Sequence, residues 1–170
     1  MKKWKLSLAL CLLSMGVCVS CIQVESPGTA VIFPQEKQPG KATLTEQTGE
    51  YTLGNDLFTA KFVNKDGKLM FGGAQELGLH PGTEIFKIRL GDGTEGLASE
   101  MKLGSVNIMP LKGDKNAVKG AKKFDGQAIE AKYECGNLDI IWRAVLRDGS
   151  HYLRTELDLT AKEAVSMHSI

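Results

Sequence analysis

Arg147, Asp148, His151 and Tyr152 stand within a span of six residues, and Arg154 follows two positions later. Guanidinium and carboxylate groups share hydrogen bonds with hydroxyls, and a phenol ring stacks on the apolar face of a pyranose. These five residues are therefore candidate contacts for a sugar or for a neighbouring domain. The plainer reading is a solvated sheet face, where arginines pair with acids across strands for a few tenths of a kcal/mol to ~1 kcal/mol each. Both readings stay open at this level.

Other stretches carry less. "RLGDGTEGLASEM" holds Asp92, Glu95 and Glu100, but lacks the alternate-residue ligand pattern of a calcium loop and reads as a Gly-rich hairpin turn. "LKGDKNAVKGAKKFDG" is rich in lysine, yet only Phe124 is near it, so it reads as an exposed loop and not a nucleic-acid patch. Cys135, in "AKYECGNLD", has no CxxC partner and no histidine at ligand spacing; it reads as a structural thiol. The chain has no GxSxG, HExxH or P-loop motif. Paired catalytic carboxylates cannot be singled out from its 20 acids without a cleft to place them. No catalytic residue, metal or cofactor is assigned.

The elements that must hold the candidates are strands. In "WRAVLRDGSHYLRTELDLT", period-2 reading puts Trp142, Ala144 and Leu146 on one face, and Arg143, Val145 and Arg147 on the other. On the return strand Leu153, Thr155, Leu157 and Leu159 share a side, opposite Tyr152, Arg154, Glu156 and Asp158. One face thus goes to a core and the other is charged. The same alternation appears in "LFTAKFV", "EIFKIRL" and "QAIEAKYEC", and Asp66-Gly67 is a strong hairpin signal between strands. "SVNIM" reads as a short strand ending at Pro110. "DKNAVKGAKKF" is the one helical candidate, weakened by Gly120. About eight strands at spacings near ten residues predict an all-β antiparallel sandwich.

The N-terminus points to export. Lys2, Lys3 and Lys5 precede a 14-residue apolar stretch, "LSLALCLLSMGVCV", too short for a comfortable membrane span. Residues 1–20 are read as a signal peptide. "VCVSC" resembles a lipobox that would lipidate Cys21, although Cys18 stands where Leu is usual; plain signal-peptidase cleavage therefore stays open. Residues 21–49, with Pro27, Pro34 and Pro39, read as a lipid-anchor cysteine and polar tether, with one short strand at "AVIF". Residues 50–170 are then the sandwich domain. After removal of residues 1–20, the 21 basic residues fall to 18 against 20 acidic ones, a net charge of −2. That argues against binding nucleic acid through overall charge. About 150 mature residues suffice for one core and are too few for a catalytic barrel of ~250.

The succession "NDLFTAKFVNKDGKL", "IRLGDGTEGLASEM", "KKFDGQAIEAKYE" and "WRAVLRDGSHYLRTELDLTA" resembles the N-terminal, galactose-mutarotase-like β-sandwich of exported Bacteroidota glycoside hydrolases similar to family 36 α-galactosidases. The resemblance covers residues 50–170 and rests on segment order and on "RAVLRDGS-Y-R". It implies a supersandwich-like fold that continues past Ile170, followed by a catalytic (β/α)8 barrel bearing the two carboxylates. No catalytic position carries over to this chain. It further implies carbohydrate as the parent enzyme's ligand, the barrel as partner, and a cell-envelope location with the membrane reached through the lipid anchor. The alternative is a stand-alone surface glycan-binding or structural lipoprotein. Cys21→Ala is expected to abolish membrane retention in fractionated cells; unchanged partitioning would remove the lipobox reading.

Overall fold

A computed structural model describes residues 37–170. The signal peptide, Cys21, the "AVIF" strand and the tether up to residue 36 lie outside the described residues. The remainder is an all-β antiparallel sandwich.

The first sheet has the order β1-β2-β3-β4, built from β1 (Thr43–Gln47), β2 (Glu50–Gly54), β3 (Thr59–Lys65) and β4 (Lys68–Gly73). β1 lies inside the stretch read as tether, so the sheet starts before Glu50. Its pattern explains the difference: four of its five residues are exposed, so it carries no apolar alternation to read. Asp66 and Gly67 both have positive φ (53° and 72°), the backbone of a tight two-residue hairpin that matches strand twist. Phe58, Ala60 and Phe62 are buried while Lys61 is exposed, as the alternation predicts.

A small three-stranded sheet has the order β11-β5-β6, from β5 (Lys87–Leu90), β6 (Glu95–Leu97) and β11 (Met167–Ser169). The second large sheet has β7 (Lys102–Leu111), β8 (Gly126–Cys135), β9 (Leu138–Arg147) and β10 (Arg154–Ala161) in the order β10-β9-β8-β7. β7 is twice the length expected of "SVNIM" and continues through Pro110, opposite Gln127. Proline is tolerated there because β7 is an edge strand, where a missing N–H costs no ladder bond. The helical candidate folds instead as a loop with one 3-10 turn, Gly120–Lys123.

Both large sheets contribute to one core. Tyr51, Leu53, Phe62 and Leu69 of the first join Ile129, Tyr133, Ile140 and Trp142 of the second in a single buried cluster. Phe62 meets Trp142 edge-to-face at 5.3 Å between ring centroids, and Phe86 meets Tyr133 in the same way at 5.3 Å. The register places Leu157 opposite Trp142 and Glu156 opposite Arg143, as the alternation predicts, but Val145, expected on the charged outer face, is buried at 4 % exposure. On the outer face Arg143 bridges Glu130 (2.8 Å) and Asp158 (2.5 Å), so the 9 % exposed Glu130 is buried with a cation beside it.

Trp142 is 1 % exposed. Trp142→Ala is expected to cost roughly 3–5 kcal/mol in urea melts, as for other large-to-small core changes. A loss below about 1 kcal/mol would contradict the core assignment.

Candidate functional site

β9 ends at Arg147 and β10 begins at Arg154, leaving a lip loop of residues 148–153. The five candidates part company here. Arg147 donates from Nη1 to the Phe124 carbonyl (2.8 Å). Asp148 accepts the Ala42 N–H on Oδ1 (2.9 Å), and its own N–H donates to the Asp125 carbonyl (2.9 Å). Arg154 pairs with Glu156 along β10 at 2.6 Å. All three are engaged within the protein. His151 and Tyr152 stay exposed, and Tyr152 shows 60 % of its surface.

These last two line a cleft of about 370 Å³ at the open edge of the sandwich. Phe62, Phe71 and Trp142 form its apolar part, and Leu153 and Thr155 of the hairpin border it. The opposite wall is the connector from β4 to β5, residues 74–86, which brings Leu77, Leu79, Thr83 and Glu84. That connector is held by its own backbone: Ala74 and Leu79 exchange hydrogen bonds at 2.9 and 3.1 Å, and the Gly82 N–H reaches the Phe71 carbonyl at 2.9 Å. Among the described residues, Glu84 is the one carboxylate that lines the cleft. Its oxygens accept from the N–H of Ser99 (3.1 Å) and from the Ser99 hydroxyl. The Trp142 indole N–H, buried beneath, has no partner among the described residues.

Against the connector lies a second groove of about 490 Å³, where Thr59, Lys61, Gln75, Glu76 and His80 stand beside Ala74, Leu79 and Pro81 and the backbone of Gly72 and Gly73. Its charges are mostly spoken for: Lys61 pairs with Glu50 (3.0 Å), and Glu76 accepts the Thr59 N–H (3.3 Å). The cleft and the groove share Ala74 and Leu79, so one connector forms a wall of both.

Sequence reasoning missed Phe71, Glu84, Leu77 and Leu79 as lining residues, and treated Trp142 as core only. The connector has no motif. Its one signal is length, since a loop this long between strands is uncommon without a role.

The carboxylates of "GDGTEG" have local partners. Asp92 accepts the Thr94 N–H (2.8 Å), which holds its carboxyl below the usual range, and Glu95 pairs with Lys87 at 3.3 Å. Gly91, Gly93 and Gly96 do have the GxGxxG spacing of dinucleotide-binding turns. They lie at the turn between the antiparallel strands β5 and β6, and only a single 3-10 turn, Ala98–Glu100, follows, so the strand–turn–α-helix context that spacing requires is missing. Cys135 is half-buried at the end of β8. In the lysine-rich loop the Asp125 carboxylate accepts the Gly113 N–H (2.7 Å) and closes the loop's base.

Comparison of the chain with family models, with curated proteins and with solved structures finds no match.

Tyr133 has a buried hydroxyl with no partner among the described residues. Burial first, and then the Glu84 carboxylate, push its pKa above the ordinary phenol value of 10.0. The neutral phenol is the favoured folded form, so its contribution is complete below pH ~10 and is lost as pH rises through the folded pKa. Tyr133→Phe is expected to leave stability at pH 7 unchanged or raised by up to ~1 kcal/mol, because no hydrogen bond is lost. Its decline above pH ~10 should be shallower than that of the wild type. Tyr51, also raised by burial, keeps part of the slope. Urea melts at neutral and alkaline pH check both arms; a loss above ~1 kcal/mol at pH 7 would mean that the hydroxyl is bonded.

Proposed function

We propose that this chain is the non-catalytic β-sandwich of an exported, α-galactosidase-like carbohydrate-active hydrolase, held at the cell envelope through Cys21. In that role it packs on a downstream (β/α)8 barrel and lends its cleft to one wall of the sugar site.

The cleft's lining carries the reading. Cleaving a glycoside by the usual route needs two carboxylates flanking the bond, roughly 5–9 Å apart. Here, among the described residues, the cleft offers one carboxylate, Glu84, already bonded through both oxygens to Ser99. What it does offer suits an amphipathic ring: apolar walls, the hydroxyls of Thr83 and Thr155, and the exposed His151 and Tyr152 on the lip. Its volume falls in the range of small-ligand sites, ~300–1,000 Å³. Binding, not bond cleavage, is the chemistry this arrangement supports.

One observation favours the second reading, a stand-alone surface glycan-binding lipoprotein. Tyr152 presents most of its ring to solvent, as a stacking platform requires.

Immunoblotting of fractionated native cells separates the two. A membrane-fraction band several-fold larger than 18.4 kDa is expected; a band at that size would overturn the hydrolase reading in favour of the stand-alone module. For either reading the purified chain should release no product from aryl glycosides. In glycan-array binding, Tyr152→Ala should weaken any signal by at least about fivefold, the equivalent of ~1 kcal/mol. Binding that ignores this substitution would remove Tyr152 from the site.

A further inference from the structure

The lip of the cleft is held by a segment that does not line it. Residues 39–42, "PGKA", run beside the loop 148–153 and are themselves firmly seated. The Pro39 side chain is fully buried, and its carbonyl accepts the Asp56 N–H at 2.9 Å. Gly40 has φ +69°, the left-handed backbone that favours glycine, and a Cβ there would push the Asp56 carboxylate aside. From this base two hydrogen bonds reach the lip. The Gly40 carbonyl accepts the Gly149 N–H (2.8 Å), and the Ala42 N–H donates to the Asp148 carboxylate (2.9 Å), 106 residues away in sequence.

A third tie comes from Asn55. Its amide N–H donates to the Ser150 carbonyl (2.8 Å), while its Oδ1 accepts from Leu57 (2.9 Å) and Phe58 (3.3 Å). Ser150 passes this order on: its hydroxyl donates to the Tyr152 carbonyl (2.8 Å) and accepts the Tyr152 N–H (3.3 Å). The lip takes no part in the strand ladders, which resume only where Arg154 pairs with Val145. Apart from Leu153, which packs against the core, its place depends on these ties and on two more backbone hydrogen bonds, Asp148 N–H to the Asp125 carbonyl (2.9 Å) and Ser150 N–H to the Arg147 carbonyl (3.1 Å). A segment held by so few contacts is the kind of unit that opens locally well below the cost of global unfolding.

We propose that residues 39–42 are a latch. Closed, they hold the lip loop 148–153 so that His151 and Tyr152 stand over the cleft. Released, they free the lip to swing away and widen the cleft's mouth. Asp148 and Asn55 are positioning residues in this device and touch no ligand. The inference concerns the lip's mobility and holds whatever the cleft accepts.

Hydrogen exchange on the full chain tests it. Asp148→Ala removes the acceptor for Ala42, whereas Asp148→Asn keeps an oxygen in the same place. The expected result is at least tenfold faster exchange at residues 148–153 in Asp148→Ala, near wild-type exchange there in Asp148→Asn, and unchanged protection in β3 and β9. Gly40→Val should give the same local pattern in greater degree; if it fails to fold, the Asp148 pair decides. Wild-type exchange at 148–153 in Asp148→Ala would overturn the latch. So would faster exchange spread equally over every strand, or an Asp148→Asn variant that fails to restore protection.

Discussion

The edge-to-face contact of Phe62 with Trp142 is the point on which the two large sheets close. Phe62 comes from β3 and Trp142 from β9, each the inward residue of a strand inside its own sheet. Phe62 also meets Phe71 of the edge strand β4 at 5.5 Å, which extends the aromatic contact to the rim of the sandwich. All three rings line the cleft. Core and candidate site therefore share residues, and the site inherits the rigidity of a close-packed interior. The same economy means that a change to the cleft's aromatic wall is also a change to the core.

The polar side chains divide by what they hold. Arg143 lies between Glu130 and Asp158, which lets a carboxylate sit buried on the outer face of β8. Removing that arginine would strand the charge, which is where the energetic weight of such a pair lies. Asp148 and Arg147 anchor the hairpin's turn to residues 42 and 124. Of the five candidates, only His151 and Tyr152 keep their side chains without a hydrogen-bond partner among the described residues. A cluster that looks chemically uniform in sequence is thus part scaffold and part surface. Backbone groups of distant segments claim the scaffold members first, because a buried N–H or carbonyl left unpaired costs more than an exposed one.

Strand positions with one buried face were legible, because side-chain direction alternates with period two. That reading placed Trp142, Ala144 and Leu146 inward and Arg143 and Arg147 outward, as the structure has them, though Val145, also read outward, is buried. It failed where alternation is weak. β1 is nearly all exposed, and β7 is an edge strand whose proline reads as a terminator. The candidate helix in the lysine-rich loop had helix-forming residues without a long apolar stripe. Tertiary context outweighed propensity there.

From its sequence alone this chain determined its class, the faces of its central strands and the tight turn at Asp66-Gly67. Each depends on neighbours in sequence, through alternation and backbone sterics. Only the tertiary structure decided which of Arg147, Asp148, His151, Tyr152 and Arg154 remain available. It alone set Glu84 across the cleft from them, and tied Ala42 to Asp148. Those facts depend on which strands pair and where loops meet, and a hydrogen bond across 106 residues leaves no periodic trace in the residues between.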